Sequence, residues 1–552
     1  MTSNTRYWFL IILIILVYIA GNFALLFEND SAQFAVMAMR MVQENDFLNL
    51  FKGTNEYLDK PHMHYWLAAL SFKVFGLHDW AYRIPGILAT LLGAYSSYGL
   101  GKLLYNSNVG KLAALVFMSA QTIVLGAIDV RTDAVLTGFT ILAIWQLTKY
   151  IEEGSLKAIA IGAFAAGIAF STKGQIALLV IGLPIICHMA YTRKWYAFLN
   201  WKVLVALMVF AIAIAPMLYA YYHQFDLHPE KVIRGKSDRS GIFFIFWEQS
   251  FERLSGEGIG KNSSDYFFFF HTFLWVFLPW TILAITGFGT KIKALVKQKF
   301  AYDSSKEVLT IGGITLIFIL ISFAQFKLPH YLNVTIPLFS VLTASYMYGL
   351  YSLNKQTVMK YLIMVQYFIL SIIFIASCLL CFYVFKIDSV FTYFILGIGG
   401  GIILFFALKS EAQFVKLITI SVCASFMLNL VLNVHFYPSL LKYQGGSSMS
   451  KVVEENNIPV DRIYKIGKEF TWALDFYNQS PVKLTNIEGI KKNNNIWIYA
   501  NDEELEKLKV SRLEWDTLYT VDQFRITRLQ GRFLNPNTRD KVLHRQYLVH
   551  IN

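Results

Sequence analysis

The feature that most constrains this chain is a succession of long apolar runs. The first, "WFLIILIILVYIAGNFALLF" (Trp8 to Phe27), holds no charge. At about 20 residues it matches the length a helix needs to cross ~30 Å of hydrocarbon. It lacks a small-residue cleavage site and so reads as a retained first span, not a removed signal peptide. Further runs lie at 80–101, 111–128, 134–150, 157–171, 175–191, 202–222, 267–287, 308–325, 331–351, 361–385, 391–408 and 415–435. The pattern predicts a polytopic α-helical membrane protein with about thirteen spans.

Composition agrees. Only 15% of the 552 residues are charged, against about 25% in soluble domains. The basic excess, 49 Lys and Arg against 36 acidic residues, has a membrane explanation, because basic residues collect in cytoplasmic loops. No basic stripe with a recognition motif accompanies it, which argues against nucleic acid as a partner. The short loops after even-numbered spans carry the lysines and arginines, for example Lys102, Lys111, Arg193, Lys291 and Lys355. Placing them in the cytoplasm puts the N terminus inside and the C terminus outside. Four cysteines (Cys187, Cys378, Cys381, Cys423) all fall inside apolar runs. They read as buried packing residues, and the "CLLC" spacing as neither a redox nor a metal pair.

Three polar stretches then face outward: 28–79, 223–266 and 440–552. The first two are rich in aromatics and are expected to form interfacial helices on the membrane surface. The last opens with "GGSSMS" (Gly445 to Ser450), read as a flexible junction, and continues with "RIYKIG", "NIWIYA" and "DEELEKLKV". These are strand-like and helix-like segments of a small soluble α/β domain. The expected division is residues 1–440 as a transmembrane catalytic domain and 441–552 as an extracytoplasmic one.

Ionisable groups at span ends mark functional cavities in membrane proteins. Asp30 follows the first span, Lys60 lies in the first outer loop, and "AIDVRTDAVLTGF" places Asp129, Arg131 and Asp133 between spans three and four. Lys173 lies between spans five and six, and Lys327, His330 and Tyr331 between nine and ten. All fall on the outer face. Carboxylates to activate a hydroxyl, with cations to neutralise a phosphate, suit an anionic substrate. Each residue also has a plain alternative, since Lys and Arg snorkel to headgroups and Asp30 or Asp133 can simply cap the helix that follows.

The stretch "NEYLDKPHMHYWL" (Asn55 to Leu67) carries two histidines that suggest a metal site. Two positions apart, they stand about 200° apart on a helix and cannot share an ion from it. Pro61 with "HYWLAAL" reads instead as the start of an interfacial helix, with Tyr65 and Trp66 at headgroup level and Lys60 facing a lipid phosphate.

"DSAQFA" followed by "YLDKPHMHYWL", then "RTDAVLTGF", "STKGQIALLV", "FLPWTIL" and "FKLPHYLNVTIPLFSVL", resembles bacterial membrane glycosyltransferases of the GT-C fold. The nearest groups are the protein O-mannosyltransferases and the 4-amino-4-deoxy-L-arabinose (lipid A) transferases. The resemblance covers about residues 8–350 and implies transfer of a sugar from a polyprenyl-phosphate donor, with inversion, in the bacterial cytoplasmic (inner) membrane. It implies that Asp30 is the catalytic aspartate and Asp133 the acidic residue of the second outer loop. Lys60, Arg131, Lys173, Lys327, His330 and Tyr331 would serve the donor phosphate. Ser31 stands where many relatives have Glu, which weakens the case for a divalent cation held between adjacent acids, and no resident cofactor is called for. Neither His62 nor His64 inherits a family role. A monomer is expected, with lipid A, protein or a surface glycan as acceptor. No Walker-type loop is present, in keeping with a donor that is already activated.

Two other classes share parts of this pattern. A secondary transporter or flippase would show paired repeats and mid-span charges, and neither is evident here. A lipid-diphosphate-dependent glycan ligase or polymerase has the same architecture and is not separable by sequence.

Overall fold

A computed structural model describes residues 4–235, 237–249, 251–252, 265–303, 306–467 and 470–552. From the N terminus come α1 (Asn4–Asn22), α2 (Asp30–Gln43), α3 (Met63–Phe75) and α4 (Asp79–Leu104). Next are α5 (Ser107–Met118), α6 (Gln121–Ile128), α7 (Thr132–Glu153), α8 (Leu156–Lys173), α9 (Gln175–Thr192) and α10 (Lys202–Tyr221). Among the described residues, nine helices are long and apolar enough to cross a bilayer. They are α1, α7, α8, α9, the α10 segment, and Pro329–Ser352, Gln356–Val384, Val390–Leu408 and Gln413–Leu441. This is a multi-pass membrane protein.

The other four runs are helical but less simple. The run at 80–101 is α4, diluted by Gly, Ser and Tyr. The run at 111–128 splits into α5 and α6, bent by 54°. The run at 267–287 divides between Phe268–Val276 and Thr281–Lys297, and that at 308–325 is the 14-residue Leu309–Ser322. Bends matter here, because the α6–α7 and α8–α9 breaks are where charged side chains enter the site.

Local chemistry accounts for the helix ends. Asn106 accepts hydrogen bonds from the Asn108 and Val109 N–H groups and starts α5, and Ser155 does the same for α8 through Ala158. Gly154, at φ 67°, closes α7 in the left-handed conformation that glycine adopts most readily. Helices α4 and α7 cross in close contact because Gly138 lies against the Ala89 backbone, with no room for a Cβ.

The first outer stretch folds over one end of the bundle. It contains α2, a short hairpin of β1 (Phe51–Lys52) and β2 (Asn55–Glu56), and α3. Tyr65 departs from the headgroup expectation. It is fully buried, edge-on to Phe34 of α2 at 5.5 Å, because α2 and α3 pack on each other and form their own apolar core. Trp66 is half-buried and donates its indole N–H to the Phe47 carbonyl. In the second outer stretch, Phe225, Phe244 and Ile245 pack with Tyr221 and Leu58. Its residues 253–264, expected as part of an interfacial segment, lie outside the described residues.

The C-terminal region holds a five-stranded mixed sheet in the order β4-β3-β5-β7-β6. Its strands are β3 (Ile463–Lys465), β4 (Lys483–Leu484), β5 (Ile496–Asn501), β6 (Thr517–Gln523) and β7 (His544–Ile551). "RIYKIG" and "NIWIYA" supply β3 and β5, paired in parallel, and "DEELEKLKV" forms the helix Asp502–Val510 behind a reciprocal Asn501–Glu504 cap. "GGSSMS" is not a flexible junction. It opens the helix Gly445–Glu455, with Gly445, Gly446 and Ser447 buried, because these small residues let the helix approach the first outer stretch and Ala473.

Candidate active site

Asp30 is the first residue of α2 and Asp133 lies in the first turn of α7. Unpaired N–H groups and the helix dipole favour a carboxylate at such positions. Neither side chain caps its own helix. Both reach across to cations instead.

Arg131 is the hub. Its guanidinium lies 3.0 Å from Asp30 Oδ2 and 2.8 Å from Asp129 Oδ2, and meets His330 Nδ1 at 3.3 Å. Lys173, the last residue of α8, donates to Asp133 Oδ1 at 2.6 Å and lies 4.9 Å from the centre of the Tyr331 ring. Gly174 follows it at φ 70°, where a Cβ would strike Gln249, so the chain turns sharply and leaves the lysine at the helix end. His330 Nε2 stands 3.7 Å from Asp133 Oδ2 and links the two ion pairs. Lys60 lies over the Phe34 ring at 4.6 Å, beside Asp30.

Burial opposes ionisation of Asp30, yet the charges of Lys60 and Arg131 outweigh it and hold the carboxyl below the usual range. Burial likewise opposes the Arg131 charge, and Asp129 and Asp30 more than restore it. Asp30 and Arg131 are therefore both ionised at neutral pH. Asp129 Oδ1 and Asp133 Oδ2 are buried without a hydrogen-bond partner.

Lys173 and Asp133 stand at the polar head of a cavity of about 110 Å³. Its walls are apolar, among them Ile176 and Leu179 of α9 and Leu320 and Ile321 of the helix Leu309–Ser322.

Of the eight expected site residues, seven meet at this end of the bundle: Asp30, Lys60, Arg131, Asp133, Lys173, His330 and Tyr331. Lys327 is turned elsewhere. Its ammonium donates to the Asp265 carbonyl at 2.8 Å and lies over the Tyr266 ring. Among the described residues, no three His, Cys, Asp or Glu side chains converge as a metal set. His62 bonds the Leu48 carbonyl and His64 the Tyr82 hydroxyl. Burial holds both imidazoles neutral, at about 4 and about 3.

Sequence reasoning missed two contributors. Lys52, on the hairpin, stands close enough to feel the Asp30 charge. Arg83, fully buried, donates to the Asn22 and Leu25 carbonyls at 3.0 and 3.1 Å and to Ile128 at 2.8 Å. It thereby ties the turn before Asp30 to the turn before Arg131. An arginine near the start of a span, "DWAYRIP", is the signal that would have flagged it.

The described fold superposes on the crystal structure of ArnT from Cupriavidus metallidurans, solved bound to undecaprenyl phosphate, with a TM-score of 0.73 over 99% of this chain and 98% of that one. Identity is 15%. The chain has the GT-C glycosyltransferase fold. Residues 59–219 match the family described as dolichyl-phosphate-mannose-protein mannosyltransferase. That segment of the GT-C chain runs from just before Lys60 through Arg131, Asp133 and Lys173. Sequence relatives include the undecaprenyl phosphate-alpha-4-amino-4-deoxy-L-arabinose arabinosyl transferase of Pseudomonas paraeruginosa, 24% identical over 46% of this chain and 44% of that protein. A second is the arabinosyl transferase 2 of Proteus mirabilis, 22% identical over 56% of this chain and 53% of that protein. The chain thus spans about half the length of these curated relatives.

Proposed function

We propose that this GT-C protein transfers a sugar from a polyprenyl-phosphate-linked donor to a hydroxyl or phosphate acceptor at the outer face of a bacterial cytoplasmic membrane. The observation that carries the reading is the joined pair of ion pairs, Asp30–Arg131 and Asp133–Lys173, at the head of an apolar-walled cavity. The donor's isoprenoid tail lies along the apolar wall and its phosphate meets Lys173, Arg131 and Lys60, with His330 and Tyr331 alongside. As the anomeric C–O bond breaks, the departing phosphate gains a negative charge, and preformed cations stabilise it where it develops. Asp30, ionised, accepts the hydrogen bond of an attacking hydroxyl and takes its proton as the new bond forms. Asp133 holds Lys173 in place. One displacement inverts the anomeric centre. If the acceptor is a phosphate, its own oxygen is the nucleophile and Asp30 orients the acceptor. The arabinosyl transferase relatives favour lipid A among the acceptors. Lys327 is left out of the phosphate-binding set, being engaged at Asp265.

The same reading includes a cytoplasmic N terminus, a division into residues 1–440 and 441–552, a monomer, and no obligatory metal. A bound divalent cation is a variant that metal analysis of purified protein separates. The central test is turnover of Asp30→Asn in vesicles supplied with a labelled lipid-linked sugar. Loss of transfer with retained donor binding is expected, and undiminished turnover would overturn the role of Asp30.

A further inference from the structure

The backbone that leads into Asp30 belongs to neither α1 nor α2. Residues 23–29 form a turn between the two helices, and those of its buried N–H and C=O groups that lack a helical partner must be satisfied elsewhere. They find partners far away in the chain. Leu26 N–H donates to the Tyr477 hydroxyl at 2.7 Å. Leu26 C=O accepts from Gln444 Nε2 at 2.9 Å, and Glu28 N–H donates to Gln444 Oε1 at 2.7 Å. The Glu28 carboxylate side accepts from Ala473 N–H at 3.1 Å, and Asn29 Nδ2 donates to Thr527 Oγ1 at 2.9 Å. Asn29, the residue immediately before Asp30, sits at φ 78° and ψ −104°, an unfavourable conformation for a residue with a side chain. Such a strained conformation persists only where its surroundings impose it. Here the surroundings are the C-terminal region. Trp472, Ala473 and Phe476 also complete the apolar core of α2 and α3.

We propose that the C-terminal region is part of the catalytic unit, with Gln444 and Tyr477 as positioning residues that hold the 26–29 turn so that Asp30 faces Arg131. This rests on the reading of Asp30 given under Proposed function. Gln444 bonds both Leu26 C=O and Glu28 N–H, so it fixes the peptide planes two residues ahead of the aspartate. Tyr477 accepts from Leu26 and reaches Asp79 Oδ2 at 3.5 Å, which ties the turn to the start of α4. From the membrane side, Arg83 holds the same turn at Asn22 and Leu25. The turn is thus gripped between two regions, and releasing one grip lets the strained Asn29 relax and Asp30 swing.

The test uses full-length protein in lipid nanodiscs, comparing Gln444→Met, Tyr477→Phe and the double variant with wild type. Tyr547→Phe is the control, since it removes a C-terminal hydrogen bond to Asp502 far from the turn. The first readout is backbone amide exchange over residues 30–34, where Ala32 N–H and Gln33 N–H bond back to Phe27 and Asn29. Exchange there should quicken in the clamp variants and not in the control. The second is kinetic: kcat should fall about ten- to hundredfold, the scale expected when a reacting group is misplaced by about an ångström. KM for the lipid-linked donor should hold within about twofold, because the phosphate-binding cations are untouched. Unchanged exchange, or quickened exchange with unchanged kcat, overturns the proposal. The Asp30→Asn assay fails separately if Asp30 is not the acceptor-side carboxylate, and in that event the exchange arm alone still decides whether the clamp exists.

Discussion

The Arg131 guanidinium meets the Asp30 carboxylate at 3.0 Å across two outer segments. One cation thereby touches the Asp30 carboxylate, while Asp129 at 2.8 Å fixes its orientation. In the proposed reaction a donor phosphate arriving at Arg131 competes with Asp30 for the same cation, so donor binding and readiness of the acid are coupled through one side chain.

Arg131→Lys keeps the charge and loses the planar fork that reaches Asp30 and Asp129 together. Hydrogen bonds to charged groups are worth about 1.5–3 kcal/mol, which corresponds to a fall in kcat/KM of about ten- to hundredfold. Arg131→Ala removes one of the cations that, with Lys60, lower the Asp30 pKa. The acid limb of the kcat/KM profile then moves to higher pH, which a pH-rate series checks.

Asp133 and Lys173 form a buried pair, with side chains only 5% and 10% exposed. Lys173→Met strands the Asp133 carboxylate at a cost of about 3–5 kcal/mol, seen as a clear drop in Tm. The double change Asp133→Leu with Lys173→Met should recover most of that stability and none of the activity. Recovery of both would mean the pair is structural only.

Desolvation pushes the Glu28 carboxyl from its ordinary 4.5 up to about 8, with Asp475 nearby adding to the shift. Between those values the folded chain holds a proton that the unfolded chain has released, so stability falls as pH rises from about 4.5 to about 8 and then levels off. Glu28→Gln keeps an acceptor for Ala473 N–H and carries no proton to lose. Its unfolding midpoint should lack Glu28's share of this slope, read as Tm against pH beside wild type.

Gly138 sits where a Cβ would lie 2.2 Å from the Ala89 carbonyl oxygen. Gly138→Ala must therefore force α4 and α7 apart, with a loss of about 1–3 kcal/mol typical of overpacking. Gly182→Ala, where a Cβ meets open space, is the matched control. Thermal unfolding in detergent compares the two.

Much of the architecture was readable from local pattern. Runs of apolar residues of bilayer length give helices whatever they pack against, because hydrocarbon offers the backbone no other partner. The β-branched and aromatic run in "NIWIYA" and the capping sequence before "DEELEKLKV" likewise act within a few residues. Charged residues at span ends pointed to the end of the bundle where Asp30, Arg131, Asp133 and Lys173 meet, because a charge is too costly to leave in lipid without a reason.

The pairing of those charges was not readable. Nothing local tells that Arg131 takes Asp30 and Lys173 takes Asp133, or that Lys327 turns away to Asp265. Each outcome depends on where two helix ends come to rest, and that is set by the whole bundle's packing. "GGSSMS" looked mobile by composition and became a buried helix start, because its small residues admit a neighbour that the sequence does not name. The sequence alone determined that this chain spans a membrane and carries acids and cations on one face. The tertiary structure alone decided which of them share a site, and that the turn bearing Asp30 is held from far along the chain, since hydrogen bonds of that range follow from packing and not from periodicity.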